Sequence, residues 1–312
     1  MSDSVKVSII DDTKMGLGTW SWGDKYYWGF GNGYSETDIQ EAFNVSMEAG
    51  IRLIDTAEVY GLGRSELFIG ELIKQQNAKN VIIASKFMPF PWRLSRKSFI
   101  KALKNSLKRL GIPAIDLYQI HFPWPPVTVE TWMEAMVDAY QQGLIKGVGV
   151  SNYDRSQTMR AANILIREGI HLESNQVEYN LLNRKIEENG LLAECISTGV
   201  KVIAYSPLAM GILTGKYTPE HQPSGMRGRR YNRKYLEKVK PLIDAMIKIG
   251  NDHAGKTASQ VALNWVICKG AVAIPGAKRA SQAEQNAGAL GWELNPEEVE
   301  KLDDISKKVN KD

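Results

Sequence analysis

The sequence predicts an α/β fold, a (β/α)8 TIM barrel preceded by an N-terminal strand or hairpin and carrying extra helices. Three observations predict it. Short apolar runs alternate with longer amphipathic stretches along the chain. Eight of the runs read as strands, and none is followed by the glycine-rich turn that opens a doubly wound dinucleotide fold. The strand ends recur at close intervals: Asp55 to Lys86 is 31 residues, Lys86 to His121 is 35 and His121 to Val150 is 29. A strand–helix unit needs about 30 residues or more, and eight in series close most simply into a barrel.

The elements follow in order. Residues 5–12 (VKVSIIDD) read as a short strand before the barrel, part of a hairpin over its floor. The barrel strands are 16–20 (GLGTW), 51–55 (IRLID), 81–86 (VIIASK), 115–121 (IDLYQIH), 145–150 (IKGVGV), 172–177 (LESNQV), 200–205 (VKVIAY) and 271–274 (AVAI). Helical periodicity marks 36–49, 95–110 and 128–142, with Ser95 and Thr128 at N-cap positions and Gly111 and Gly143 just past the ends. "GFGNGY" at 29–34 sits among Trp22, Tyr26, Tyr27 and Trp28 and opens no helix, so it is discounted as a phosphate loop. A long segment, 206–232, follows the seventh strand and ends in the basic loop "RGRR" of 227–230; helices are expected at 233–252 and 296–309. No low-complexity linker interrupts the chain, so 1–312 reads as a single domain.

Composition narrows the function classes. With 43% hydrophobic and 24% charged residues the chain reads as a soluble globular protein. A net charge of +4 is too small to argue for nucleic acid. No run of 18 apolar residues argues for a membrane span. Cys195 and Cys268 fit neither a metal spacing nor a disulfide framework and read as free thiols in a reducing compartment. The expected location is cytoplasmic, or the plastid stroma if a transit peptide has been removed. Monomer is the default state, there being no unclaimed apolar stripe.

The chemistry lies at the strand ends, where barrels of this kind place their active sites. The second strand ends on Asp55, the third on Lys86 and the fourth on His121, with Tyr60 on the loop after the second. Neighbouring strands lie about 4.8 Å apart, so these side chains can converge. A phenol near pKa 10 is a poor acid at neutrality. An ammonium beside it makes the phenolate easier to reach, and a carboxylate anchors that ammonium. Tyr60 then becomes a general acid for a carbonyl that receives hydride at its carbon, and His121 can orient the oxygen. Each residue also has a plain alternative: a loop-capping Asp, a solvated Lys, a structural His. All four falling at one face of consecutive units favours a joint role. No metal is expected, because only His121 of the four histidines sits at a strand end.

With these residues in place, the sequence resembles the aldo-keto reductase superfamily. The segments that carry the resemblance are "GIRLIDTAEVYG" (50–61), "ASKF" (84–87), "DLYQIHFP" (116–123), "GVGVSNY" (147–153), "NQVEYN" (175–180), "AYSPLAMGILTGKY" (204–217) and "IPGAKRASQAEQN" (274–286). They fall in the family's order and span roughly residues 15 to 305. The long segment after strand seven is more like the bacterial, plant-chloroplast and potassium-channel β-subunit branches than the aldose-reductase branch.

The resemblance implies NADPH bound across the barrel mouth, with Tyr60 as the acid supported by Asp55, Lys86 and His121. Ser151, Asn152 and Gln176 would hold the nicotinamide carboxamide, and the Tyr205 ring would stack on the nicotinamide. Ser206, Leu208 and Gly211 would line the pyrophosphate path, with Lys216 near it. Gly276, Lys278, Gln282, Gln285 and Asn286 would bind the adenosine end. Lys278 and Arg279 are the charges suited to a 2′-phosphate, which favours NADPH over NADH. Gln285 departs from the glutamate the family often has there, implying altered cofactor affinity. Gly211 and Gly276 have an alternative as plain turn glycines, and Gln176 as a polar filler of the barrel. The "RGRR" stretch reads either as a solvated basic loop or as a fold over the pyrophosphate that slows cofactor release.

Loops near the expected mouth carry Trp22, Tyr26, Tyr27, Trp28, Phe87, Trp92, Phe122 and Trp124. Trp22, Trp28, Phe87, Trp92, Phe122 and Trp124 are the candidate substrate contacts. Such a rim suits aromatic or medium-length apolar aldehydes and ketones. Lys25 and Arg93 would add affinity for an acidic group. The expected activity is NADPH-dependent reduction of a small-molecule carbonyl to an alcohol. The alternative is a channel-β-subunit-like cofactor sensor or scaffold with little turnover, against which the intact tetrad argues.

Overall fold

The structure, a computed structural model, describes residues 8–78 and 80–310. All eight predicted strands form, and they pair in chain order as one parallel sheet. They are β1 (Gly16–Gly18), β2 (Leu53–Asp55), β3 (Ile82–Phe87), β4 (Ile115–Ile120), β5 (Ile145–Ser151), β6 (Leu172–Glu178), β7 (Lys201–Tyr205) and β8 (Val272–Ala273). The sheet closes on itself: Met15 bridges Ala273, Gly18 bridges Gly276, and the Gly18 amide donates to the Pro275 carbonyl at 3.0 Å. The result is a (β/α)8 barrel.

The helices lie between strands, the last two after β8. They are α1 (Glu36–Glu48), α2 (Arg64–Gln76), α3 (Arg96–Leu110), α4 (Val129–Gln141), α5 (Arg155–Arg167), α6 (Lys185–Glu188), α7 (Leu191–Thr198), α8 (Gly225–Arg230), α9 (Arg233–Asp252), α10 (Ala258–Cys268), α11 (Ala280–Ala287) and α12 (Pro296–Asn310). Ser95 and Thr128 cap α3 and α4 as expected, accepting from the Ser98 and Thr131 amides. Gly111 ends α3 in the left-handed conformation. On α9, Leu236, Val239, Leu242, Ile243, Met246 and Ile249 form the buried stripe that helical spacing requires.

Three expectations change. Residues 8–12 form turns and no strand, while 5–7 lie outside the described residues. Strand one stops at Gly18, so Thr19 and Trp20 belong to the mouth loop. The segment 206–232 contains a 3-10 turn at Ala209–Thr214 and α8, so the backbone of the basic 227–230 stretch is helical.

Strand alternation separates two cores. Leu53, Ala84, Leu117, Ile203 and Val272 point into the barrel and pack with Ile10, which plugs the floor. Their neighbours Ile54, Ile83, Tyr118 and Val202 join the layer shared with the helices. Two residues further up each inward row the side chains turn polar: Asp55 above Leu53, Lys86 above Ala84 and Gln119 above Leu117. The same inward face that is apolar at the floor is therefore charged at the mouth. No described helix is long and apolar enough to cross a membrane.

Candidate active site

Asp55, Tyr60, Lys86 and His121 meet at the C-terminal mouth. Lys86 is fully buried, and its ammonium donates to Asp55 Oδ1 at 2.7 Å, to the Thr56 carbonyl at 2.8 Å and to the Tyr60 hydroxyl at 3.3 Å. Those three acceptors satisfy the donors of a lysine. Tyr60 enters on a 3-10 turn, Tyr60–Gly63, whose first amide donates to the Ala57 carbonyl. Gly61 has φ +56°, and a Cβ there would stand 2.7 Å from the Gly23 carbonyl carbon. Only glycine lets this turn press against residues 22–23 and bring the phenol inward. The His121 ring stands 6.0 Å from the Tyr60 ring at a steep 76°.

Burial dominates the electrostatics. It pushes the Tyr60 phenol above its ordinary value; Lys86 pulls it down, as expected, but does not offset the desolvation, and Asp55 pushes it up further. Burial alone would lower Lys86, but the Asp55 carboxylate opposes this and the ammonium ends above its usual range. Burial, with Lys86 nearby, drives His121 down to about 3. His121 is therefore neutral at ordinary pH, and a neutral imidazole keeps one N–H to donate to a substrate oxygen.

The residues expected to hold the cofactor line the same mouth. Ser151 and Asn152 follow one another at the end of β5. Ser151 Oγ donates to the Gln176 carbonyl at 2.9 Å. Asn152 is left-handed, at φ +61°; its amide nitrogen donates to the His121 carbonyl at 3.1 Å, and its oxygen accepts from the Tyr205 hydroxyl at 3.0 Å. Gln176 is buried and donates to Asp55 Oδ2 at 2.6 Å. Tyr205 closes β7, and Ser206 turns left-handed immediately after it. Leu208 precedes the 3-10 turn that contains Gly211 (φ +93°), where a Cβ would stand 3.4 Å from the Lys216 ammonium. Glycine thus opens space in front of a cation, a cradle suited to a phosphate.

At the other end, Gly276 accepts from the Asn286 amide at 3.3 Å. Gln282 accepts from the Lys278 backbone at 2.7 Å, and Gln285 accepts from Thr257 at 3.2 Å. These groups gather on and before α11. The donor set fits a phosphorylated nucleotide: two cations, Lys278 and Arg279, flank amides and carboxamides.

The aromatic candidates divide. Phe122 stacks between His121 and Trp124, at 4.9 and 4.6 Å, and lies at the mouth. Trp92 is exposed and stacks on Phe90, and Trp28 meets Trp20 and Tyr27 edge-on. Trp22 and Phe87 are corrections. Trp22 is wholly buried, with its indole donating to the Ala277 carbonyl. Phe87 follows Lys86, so alternation turns it outward onto Phe99 and Trp132. Neither offers surface to a substrate. Arg93 is engaged too, on Glu58 at 2.5 Å. Lys25 and Tyr26 are exposed.

Two residues were missed by sequence reasoning. Trp20 is 40% exposed and its ring lies 6.3 Å from that of Tyr60, stacked on Tyr27 at 5.2 Å. Its position just past a Gly-x-Gly strand was the available signal. Gln119, fully buried beside Lys86 in the strand register, meets the Gln176 amide at 3.4 Å; the inward row Leu117-Gln119 could have flagged it.

Comparisons with known proteins agree with this fold. Residues 14–307 match the model of the Aldo/keto reductase family. The chain is 37% identical to the chloroplastic pyridoxal reductase of Arabidopsis thaliana, over 98% of this chain and 87% of that one. It is 31% identical to the aldo-keto reductase YhdN of Bacillus subtilis, over 97% and 92%. Among solved structures, an aldo/keto reductase from Klebsiella pneumoniae in complex with NADP and acetate is 30% identical, with a TM-score of 0.74 over 94% of this chain and 91% of that one. A glycerol dehydrogenase from Gluconobacter oxydans is 27% identical, with a TM-score of 0.84 over 96% and 93%. By the span of the family model and the full-length match to these relatives, the chain belongs to the aldo/keto reductase family, as an oxidoreductase that uses NADP(H).

Proposed function

We propose that the protein reduces aromatic and medium-length apolar aldehydes to alcohols, with Tyr60 as the proton donor. The observation that carries this is the Lys86 ammonium shared between Asp55 Oδ1 and the Tyr60 hydroxyl. When bound, NADPH supplies the hydride. Ser151, Asn152 and Gln176 would hold its carboxamide, Tyr205 its ring face, Gly211 and Lys216 its pyrophosphate, and Gly276, Lys278, Gln282, Gln285 and Asn286 its adenosine end.

The protein's own groups do the rest. Tyr60 donates its proton to the carbonyl oxygen, and Lys86 stabilises the phenolate left behind. Asp55 keeps Lys86 charged. Neutral His121 donates a hydrogen bond to the same oxygen and fixes which lone pair faces Tyr60. The raised phenol keeps Tyr60 protonated through neutral pH, the state a general acid needs. Phe122, Trp124, Trp28 and Trp92 form the apolar rim that excludes water and selects the substrate. Pyridoxal, the aldehyde named in one relative, is an aromatic aldehyde of the proposed class.

The test follows NADPH absorbance with a panel of aromatic aldehydes, pyridoxal included, in native protein and Tyr60→Phe. Native turnover, with about 10²–10⁴-fold loss in a variant that still binds NADPH, supports the proposal. Binding by both without turnover by either would instead favour the cofactor sensor.

A further inference from the structure

The two cations proposed to face the cofactor's 2′-phosphate are already committed to another segment. Lys278 Nζ donates to the Trp28 carbonyl at 3.0 Å and lies 4.7 Å from the Trp28 ring and 4.5 Å from the Tyr34 ring. Arg279 Nη2 donates to the Gly33 carbonyl, and its Nε stands 3.7 Å from the Asp38 carboxylate. Together they strap the loop 24–34 to the start of α11.

The rest of the loop is held by hydrogen bonds within itself and by ring packing on Trp20 and Phe68. Its own hydrogen bonds close on themselves: Tyr27 N to Asp24 Oδ1, Phe30 N to the Asp24 carbonyl, Asn32 N to the Gly29 carbonyl and Gly31 N to the Tyr34 carbonyl. Outside ties include the buried Tyr34 hydroxyl on the Ser21 carbonyl, the Tyr27 ring stacked on Trp20 at 5.2 Å, the Phe30 ring 5.5 Å from Phe68 and a long contact of the Tyr27 hydroxyl with Met210 Sδ at 3.8 Å. Ring contacts run from the strap to the proposed proton donor. Trp28 meets Trp20 at 5.3 Å, and Trp20 meets Tyr60 at 6.3 Å.

We propose that Lys278 and Arg279 serve the loop and the cofactor's phosphate in turn, which makes Trp28 a specificity-determining residue. Its hold on the substrate mouth then depends on whether the bound nicotinamide cofactor carries a 2′-phosphate. The inference rests on the reading that these two cations receive that phosphate. A phosphate dianion attracts both cations more strongly than the uncharged Trp28 and Gly33 carbonyls do, and carries more charge than the Asp38 carboxylate 3.7 Å from Arg279. A cation over two rings keeps only the weaker attraction of their π faces. The phosphate therefore draws both cations off the loop, and Trp28 loses the Lys278 contacts on its carbonyl and ring, which lets its ring shift against Trp20 and the incoming carbonyl compound. A cofactor without the phosphate leaves the strap closed.

Adenosine 2′,5′-bisphosphate tests this without nicotinamide, substrate or turnover. Binding is measured by calorimetry and loop opening by amide hydrogen exchange. At saturation the amides of Tyr27, Phe30, Gly31 and Asn32 should exchange about tenfold faster, while 5′-AMP leaves them unchanged. Lys278→Met should give the same acceleration with no ligand present. Calorimetric binding with unchanged or slowed exchange overturns the shared strap and leaves the phosphate assignment intact. Absence of binding, with NADPH affinity unmoved by Lys278→Met, sinks the phosphate assignment and the strap with it. In turnover, the KM for benzaldehyde should differ between NADPH and NADH in native protein and converge in Trp28→Leu; persistence of the difference in that variant removes Trp28 from the inference.

Discussion

Asp55 and Gln176 meet inside the barrel mouth, from strands that are not neighbours: the Gln176 amide donates to Asp55 Oδ2 at 2.6 Å, and Asp55 Oδ1 is left to Lys86. One carboxylate is thus held on both oxygens, and the residue that steadies it is one proposed to contact the nicotinamide carboxamide. Because the Gln176 nitrogen is spent on Asp55, its oxygen is the atom offered to a carboxamide N–H.

Replacing Gln176 by Glu and by Leu separates these roles. In Gln176→Glu two carboxylates stand within hydrogen-bond distance, and they hold a proton between them near neutrality. Lowering the pH supplies that proton and restores one anion beside Lys86. Turnover of Gln176→Glu should therefore rise by about tenfold from pH 8 to pH 6, while Gln176→Leu stays flat. Steady-state kcat across that range checks it; parallel profiles would falsify the coupling.

The Asp55–Lys86 pair makes a stability prediction with a sign. Both partners are buried, so removing one strands the other's charge. Asp55→Asn and Lys86→Met should each cost about 3–5 kcal/mol, because an unpaired buried charge is the penalty. Asp55→Asn/Lys86→Met together should be more stable than either alone. Urea midpoints for the four proteins close the cycle. Since Lys86 is raised in the fold, its contribution is complete below the unfolded value near 10.5 and is lost only as pH climbs through its higher folded value.

Trp20 is expected to contribute to aromatic substrate binding. It is the exposed ring stacked on Tyr27 and nearest, among the described ring contacts, to Tyr60 apart from His121. Trp20→Ala should raise KM for benzaldehyde about tenfold, the worth of one stacked ring at about 0.5–1.5 kcal/mol plus its apolar area. A small aliphatic aldehyde such as propanal should lose far less. An equal loss for both aldehydes would point to a collapsed mouth loop.

Much of this was legible from periodicity. Alternating runs ending on Asp55, Lys86 and His121 located both barrel and tetrad, because strand ends share one face. Parity was available too and went unused for Phe87, whose place one step after inward Lys86 turns it to the helix layer. Trp22 and Trp20 sit two apart on one loop, yet one is buried and the other exposed; loop residues lack a period that would tell them apart. Residues 5–12 read as a strand by composition, but within the described 8–12 the chain turns and Ile10 is used as a floor plug. The proposed cofactor residues were reached through the resemblance alone. The balance at Tyr60, where burial outweighs Lys86, depends on packing that no local pattern encodes.

His121 gives the last prediction, and it concerns stability as well as catalysis. Burial holds its folded pKa at about 3, against roughly 6.5 in the unfolded chain. The unfolded state therefore binds a proton between those values and the folded state does not. Stability must fall as pH drops from about 6.5 towards 3, by up to about 1.4 kcal/mol per pH unit from this one residue. Carboxylates add their own acid dependence, so the difference between proteins isolates the histidine. His121→Gln keeps a donor at the mouth but cannot titrate. Between pH 6.5 and 5 its urea midpoint should fall less than that of the native protein, and aldehyde reduction should persist at a reduced kcat. Identical slopes would mean that the His121 ring reaches solvent and charges in the folded state, and its role as a neutral hydrogen-bond donor would then be confined to higher pH.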